Sequence, residues 1–454
     1  MTAQYTNLLQ LDSFEGLAEG SPAVQRRSIL LRAAAAAGGL TGLGFLNASA
    51  QAQFRVEISG IGGTLLPIAL PEFRDESRAG QAVSAIIRAD LERSGKFRII
   101  DAPQSGMFEG SAPAWSDWRG RNADALAAGS ASRLADGRID LRYKLWDVVK
   151  GQDLGGEAHA VAPDDVRLAA HRIADTIYQK LTGEPGVFAT RMAYVTKAGG
   201  RYSLRITDAD GEGGQVALAS PDPIISPVWS PNGRDVAYVS FETRKAVVWI
   251  QDVSTGKRRA LADFRGTNSA PAFSPDGQQL CLTLSRDGGS QLFIINRDGS
   301  GLRRLTQSPA IDTESVFSPD GRSIYFVSDR GGSPQIYRMS VSGGAAERLT
   351  FNGGYNISPA ISPDGRTMAF ITRLNGGTFR LCVMDLASGT VQQISDGSDD
   401  ESPSFAPNGR LLVYASRAGG RDVLMTTTLD GRIKAKLIST LVDVREPTWG
   451  PFGR

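Results

Sequence analysis

Histidine and cysteine are nearly absent. The 454-residue chain has two of each: His159 and His171, Cys281 and Cys382. That scarcity excludes a zinc site built from several Cys and His ligands, and it excludes a disulfide framework. A Ser-His-Asp hydrolase would have to use one of the two histidines, and no G-x-S-x-G elbow accompanies them. There is no G-x-x-x-x-G-K-[ST] phosphate loop and no G-x-G-x-x-G following a strand. Net charge is also missing. Fifty basic side chains against 48 acidic ones leave +2, which gives no pull toward nucleic acid or an anionic membrane. What is plentiful is glycine (52) and proline (22) without a Gly-X-Y period, the composition of a turn-rich β protein. The length implies two or three domains at roughly 100–200 residues each.

Residues 1–52 read as an export signal that is removed. Arg26-Arg27 is followed by an Ala/Gly/Leu stretch from Ala33 to Leu46 and then by Ala50-Gln51-Ala52, a small-residue cleavage site with Ala50 and Ala52 at its two ends. The apolar run is about 14 residues, shorter than the ~20 that span a bilayer, so no membrane span is expected. The paired arginines and glycine-rich run fit twin-arginine export, whereas Gln25 and Arg32 do not. The mature chain is expected to begin near Gln53.

A period of 44 residues organises the second half. Prolines stand at Pro231, Pro275, Pro319, Pro363, Pro407 and Pro451, with a glycine two residues after each. A second column runs Pro227, Pro271, Pro359, Pro403 and Pro447, with Ser315 as its exception. Ser-Pro-Asp-Gly is turn chemistry: proline presets φ, Asp bonds its own backbone and Gly takes positive φ. The motif is read as structural. Each turn joins a short aromatic strand such as Pro271–Phe273 to an alternating, β-rich one such as Ile324–Val327. Four short strands per period make a propeller blade. Second-strand patterns begin with Ala193–Thr196, which has no first strand before it, while Pro447-Thr448-Trp449 has no second strand after it. The C-terminal strand must therefore complete the first blade, which predicts a six-bladed ring over residues 186–454 without open edges. The cysteines fall two blades apart and are read as small buried hydrophobes.

Residues 53–183 lack the repeat and read as a small α/β domain. Strands are expected at Phe54–Ile58, Leu65–Leu70 and Phe97–Ile100, and helices at Ala79–Ser94 and Trp115–Ala128. A hairpin is expected around Lys150–Asp153. A last helix, capped by Asp164 or Asp165, runs to Leu181 and carries His171 in a structural or surface role. Thr182–Gly186 is the linker.

The loops entering the innermost strands should rim one mouth of the ring's channel. They carry Thr267, Asn268, Ser269, Ala270, Thr313, Glu314, Tyr355, Asn356, Glu401, Arg445 and Glu446. Basic residues such as Arg330, Arg373 and Arg417 lie in the second-to-third-strand loops at the edge. Asp399-Asp400-Glu401 has the chemistry to bind a cation or do acid/base work, but a solvated loop is the plainer reading. A mixed polar rim around a recess suits recognition of a peptide or protein loop.

An export signal, a small α/β domain and a propeller of Ser-Pro-Asp-Gly repeats together resemble the TolB family of the Tol–Pal system. Local matches are Arg55-Val56-Glu57-Ile58, Pro227–Pro231, Asn268–Gly277 and Pro447-Thr448-Trp449. The resemblance implies a periplasmic, non-enzymatic protein without a cofactor or a metal. It implies a role in outer-membrane integrity and in constriction at cell division. The partner at the channel mouth would be Pal, the peptidoglycan-associated lipoprotein, on the rim residues named above and centred on Thr267, Ala270, Thr313 and Glu314. Some family members have histidine where Thr267 stands. A segment of residues 53–63, including Gln53, Phe54, Arg55, Val56, Glu57 and Ile58, would bind TolA. Colicins would use the same surfaces, and other outer-membrane lipoproteins would be further partners. The alternative is a periplasmic propeller enzyme acting on a peptide or a sugar, and a generic propeller scaffold with other partners is a third reading.

Overall fold

In the computed structural model, residues 56–58, 65–102, 106–373, 377–437 and 443–453 are described. The expected export signal, its Ala50 and Ala52, the residues Gln53, Phe54 and Arg55, and the glycine-rich run after Ile58 lie outside them. No helix among the described residues is long and apolar enough to cross a membrane.

The N-terminal part is one mixed sheet with helices on both faces. Its strands are β2 (Leu66–Ala69), β3 (Phe97–Ile100), β4 (Ala125–Arg133), β5 (Ile139–Asp147) and β6 (Gln152–Val161), in spatial order β3-β2-β4-β5-β6. Two helices, α1 (Val83–Arg93) and α3 (Val166–Thr182), bury Val83, Ile87, Leu91, Ile173 and Ile177 against Ile68, Leu141 and Tyr143 of the sheet. Trp118 of the short α2 (Trp115–Gly120) packs on the other face with Trp146 and Val148.

Three expectations need correction here. The helix expected over Trp115–Ala128 stops at Gly120, and its second half is the start of β4. The small residues Ala125, Ala127, Ala128 and Ala131 are buried to 2% exposure or less inside the sheet, so tertiary packing overrides alanine's helical preference. The helix expected from Ala79 begins only at Val83, because Gly80 turns the chain with φ 70° and a 3-10 turn, Glu76–Ala79, precedes it. Neither Asp164 nor Asp165 caps α3 with its side chain; Pro163–Asp165 forms a 3-10 turn that feeds the helix.

Six sheets of four strands make the ring. Blade 1 is closed by the C-terminal strand: Asp443–Trp449 pairs antiparallel with Arg191–Ala198. Blades 2 to 6 begin with Ile224–Trp229, Asn268–Phe273, Asp312–Phe317, Asn356–Ile361 and Ser398–Phe405. Each first strand touches the first strands of both neighbouring blades, so these six line the axis. Apolar residues of adjacent blades interlock, as where Ala237, Val239 and Val248 of blade 2 meet Phe273, Leu280 and Leu282 of blade 3. The outermost strands are short. In blade 3 only Arg303–Arg304 pairs.

The turn motif joins blades as well as strands. In Ser274–Gly277 the Ser274 hydroxyl donates to Asp276 Oδ1 at 2.5 Å and accepts from the Gln279 N–H at 3.0 Å. Gly277 takes φ +71°, and a Cβ there would rest 3.5 Å from Pro231 of the preceding blade's turn. The same glycine-to-proline contact recurs from Gly321 to Pro275, from Gly365 to Pro319 and from Gly409 to Pro363, and from Gly233 to Pro451 across the closure. The motif that looks catalytic is a hoop around the face opposite the mouth.

One further strand joins the ring. β1 (Val56–Ile58) adds antiparallel to the outer strand of blade 6, with Val56 opposite Ala435 and Ile58 opposite Ile433.

Candidate functional site: the channel mouth

The mouth is built by a backbone irregularity that repeats with the blades. Pairing between each first and second strand slips by one residue, at Ser226–Pro227, Ala270–Pro271, Glu314–Ser315, Ser358–Pro359, Ser402–Pro403 and Glu446–Pro447. The residue before the proline column is left-handed in every blade, with φ of 46–53°, and none of the six is glycine. A bulge of this kind accommodates a residue without an N–H, which accounts for the second proline column. It also lets the first strand start earlier than its aromatic end, at Asn268 rather than Pro271 in blade 3. The left-handed conformation costs a residue with a Cβ roughly 1–2 kcal/mol, so six such residues ring the axis under strain.

A second periodic position locks the loops behind the rim. Asn268, Asp312, Asn356 and Asp400 stand at 44-residue intervals and are almost fully buried. The Asn268 amide donates to the carbonyls of Ala246, Phe264 and Gly266. Both oxygens of Asp312 accept from one guanidinium nitrogen of Arg330, at 2.8 and 2.9 Å. Asn356 donates to Gln335 Oε1 at 2.7 Å. Asp400 accepts from Ser416 Oγ at 2.6 Å and from the Leu381 N–H at 3.1 Å, and it also bonds Ser395. Of the expected rim residues, Asn268 and Asn356 are therefore buried supports of the loops, and Ser269 is buried in its strand opposite Thr283. The Asp399-Asp400-Glu401 run does not form one cluster: Asp399 is exposed, Asp400 is buried and Glu401 faces the channel between two left-handed residues, Asp399 and Ser402.

Thr267, Ala270, Thr313, Glu314, Tyr355, Glu401, Arg445 and Glu446 are half-buried and remain reachable from the mouth. Glu314 and Glu446 occupy the same bulge position three blades apart, on opposite sides of a six-membered ring. Each carboxylate accepts the backbone N–H of the bulge residue one blade on. Glu314 takes that of Ser358 at 2.7 Å and also its hydroxyl at 3.1 Å, while Glu446 takes that of Ser226. Burial in the narrow channel pushes the Glu446 carboxyl up to about 8, with repulsion from Glu401 and Glu314 adding to it. Burial likewise pushes Glu401 up to about 7, although Arg445 works against the rise. Arg445 is itself paired with Asp422 at 3.0 Å. Glu314 is raised by burial as well.

Beside Glu314 lies an aromatic patch. Tyr355 meets Phe379 edge to face at 5.9 Å between ring centres, and the Arg373 guanidinium lies 6.0 Å from the Phe379 ring. Phe379 is absent from the expected set, because blade 5 hides a compensated insertion. Third strands pair through Leu292 and Ile336, 44 apart, but the next equivalent is Leu381, 45 further on. The extra residue lengthens the hairpin that ends at Phe379, and the loop before Asp400 is one residue shorter. The proline columns keep their spacing and mask both changes.

A family model described as the TolB beta propeller domain matches residues 178–453, and one described as the TolB amino-terminal domain matches residues 54–154. The Tol-Pal system protein TolB of Albidiferax ferrireducens is 62% identical over 219 residues, which is 48% of this chain and 52% of that protein. That of Polaromonas naphthalenivorans is 59% identical over 250 residues, 55% of this chain and 57% of that protein. The matches thus span little more than half the length of these curated relatives. The crystal structure of TolB from Acinetobacter baumannii superposes with a TM-score of 0.79 at 38% identity, over 88% of this chain and 100% of that one.

Proposed function

Since the chain belongs to the TolB family, we propose that it is the periplasmic protein-binding component of a Tol–Pal system, engaging Pal at the channel mouth and TolA through residues 53–63. Maintenance of the outer membrane, and its constriction at division, are the roles we assign to that component. The carrying observation is the mouth itself: a ring of half-buried polar side chains on strained, preorganised backbone, with two opposed glutamates and an aromatic patch between charged edges. Rigid presentation of polar groups lowers the ordering cost of binding a protein loop. The role we assign is non-enzymatic; Glu314 and Glu446 each commit one carboxylate oxygen, Oε2, to the backbone N–H of the neighbouring blade.

The contact set narrows to Thr267, Ala270, Thr313, Glu314, Tyr355, Glu401, Arg445 and Glu446, with Phe379 added. β1 supports the second half of the reading. It pairs with the edge of blade 6 over three residues, and such a strand can leave without disturbing the ring's own sheets. The test is calorimetric titration of the mature chain with soluble Pal and, separately, with soluble TolA. Saturable Pal binding should weaken in Glu314→Lys by more than the ~0.5 kcal/mol of a neutral surface change. Deleting residues 53–63 should abolish TolA binding and spare Pal. Unchanged Pal affinity in Glu314→Lys refutes the mouth as the site.

A further inference from the structure

The N-terminal domain sits against blade 1 through a buried set of charges that the channel does not use. His171 of α3 is 0% exposed. Its Nδ1 lies 2.6 Å from Asp90 Oδ2 of α1. Its Nε2 has no hydrogen-bond partner and faces the turn between the third and fourth strands of blade 1, 3.6 Å from Asp210 and 3.9 Å from Asp208. Arg93 holds Asp90 at 2.8 Å. Arg167 bridges the same blade turn, reaching Asp208 at 3.2 Å and bonding Asp210. Asp175, one helical turn beyond His171, accepts the N–H groups of Phe188 at 2.7 Å and Ala189 at 3.0 Å, where the linker enters the ring.

With the imidazole protonated, His171, Arg93 and Arg167 balance Asp90, Asp208 and Asp210, three against three. Although Asp90, His171 and Asp210 bring donor atoms within 4.8 Å of one another, guanidinium groups already hold the two carboxylates. We propose that His171 is a proton-operated latch: its imidazolium ties α1 and α3 to the Asp208–Asp210 turn of blade 1, and loss of that one proton loosens the docking of the N-terminal domain on the propeller. Deprotonation leaves the buried set one negative charge in excess at the boundary between the two domains, where unpaired charge is costly. Undocking returns that charge to water.

The electrostatics support this. Burial alone works against the imidazolium, yet attraction from Asp90 and then Asp210 outweighs it and raises His171 above 6.5, with Arg167 opposing. Asp210 is lowered in spite of its burial, through His171, Arg167 and Arg93. Asp208 is raised by burial, and Arg191 also faces it. Burial pushes Asp175 up to about 6, so its midpoint lies below that of His171. A histidine whose charged form is favoured by the fold contributes stability in full below 6.5, and that stability is lost as pH rises through the raised value.

The chain's two histidines make the test direct. In the full mature chain with 15N-labelled histidine, the His171 signal should titrate above 6.5, with His159→Asn used for assignment. Hydrogen exchange, corrected for intrinsic rates, should quicken by at least tenfold in α3 and in residues 208–212 as pH crosses that midpoint. His171→Gln cannot take the charge and should show no such step. Asp210→Asn removes one of the facing carboxylates and should move the midpoint down. A His171 midpoint at or below 6.5 overturns the proposal, and so does exchange in the wild-type chain that is independent of pH. The same step surviving in His171→Gln overturns it as well. If that variant does not fold, the wild-type titration and Asp210→Asn still decide.

Discussion

Glu446→Gln should make the protein more stable in alkali and leave it nearly unchanged in acid. The Glu446 carboxyl is pushed from 4.5 up to about 8, by burial first and then by Glu401, while the Ser226 N–H and Arg445 pull the other way. Between those two values the folded chain holds a proton that the unfolded chain has released. Stability therefore falls as pH rises through that window and levels off above it. Each tenfold change in proton affinity is worth about 1.4 kcal/mol, so the whole interval has an upper bound of about 5 kcal/mol. Glu446 keeps some contact with channel water, and Glu401, at about 7, shares in the uptake. We therefore expect about 1–3 kcal/mol at pH 9. Glutamine retains an oxygen for the Ser226 N–H and does not titrate. Urea denaturation followed by tryptophan fluorescence, run on both proteins from pH 5 to pH 9, reads the difference directly. It should start near zero and grow in favour of the variant. A difference that stays constant with pH, or a variant less stable at pH 9, would refute the placement of a proton-holding carboxyl in the channel.

Other perturbations probe the ring and its mouth. Asp312→Ala strands the Arg330 guanidinium, which lies between Phe326 and Tyr337 at 5.2 and 5.1 Å, and should cost about 3 kcal/mol by denaturation. Trp449→Ala removes a 5% exposed ring from the closing strand and the Nε1–H it donates to the Thr190 hydroxyl at 2.8 Å; calorimetry should show a loss of about 3–5 kcal/mol. Ala270→Gly relieves a left-handed alanine at φ 46° and should raise stability by about 0.5 kcal/mol, as the relief exceeds the extra chain entropy glycine brings.

The ring was legible because each blade repeats the same solution at the same spacing. Pro231 through Pro451 mark every turn, and the unmatched Pro447-Thr448-Trp449 gave both the blade count and its closure. The mouth was legible only as a set of positions. Sequence spacing brought Asn268, Asn356 and Glu314 to the same rim, but it cannot say which side chains turn inward. The first two point into their own loops, whereas Glu314 reaches the next blade's backbone. Phe379 escaped because a one-residue lengthening and a one-residue shortening cancel between two proline marks. In the N-terminal domain the error at Ala125–Ala128 has a different source: alanine is helical by preference, and only the crowding of a sheet buried on both faces makes it a strand.

His171 shows most plainly what one chain cannot reveal by itself. A lone histidine on an amphipathic helix is most economically a structural residue, and it is one here. Its partners come from α1, 81 positions earlier, and from a blade turn on the other side of the linker. No local pattern links Asp90 to Asp210. The same holds for Glu184 of the linker, which pairs with Arg410 of blade 6 at 2.9 Å, next to the Asn408 amide on the Pro185 carbonyl at 3.0 Å. Both contacts join the N-terminal domain and linker to turns on the face opposite the mouth. Any partner that pulls on the N-terminal segment acts on the edge of blade 6, next to those contacts, and any partner at the mouth presses on strained bulges at the other end of the same strands. A ring closed by its own C-terminal strand transmits such loads through paired sheets. The charges facing His171 join that domain to blade 1, and the Glu184–Arg410 pair ties the linker to blade 6, so the two contacts load neighbouring blades across the ring's closure.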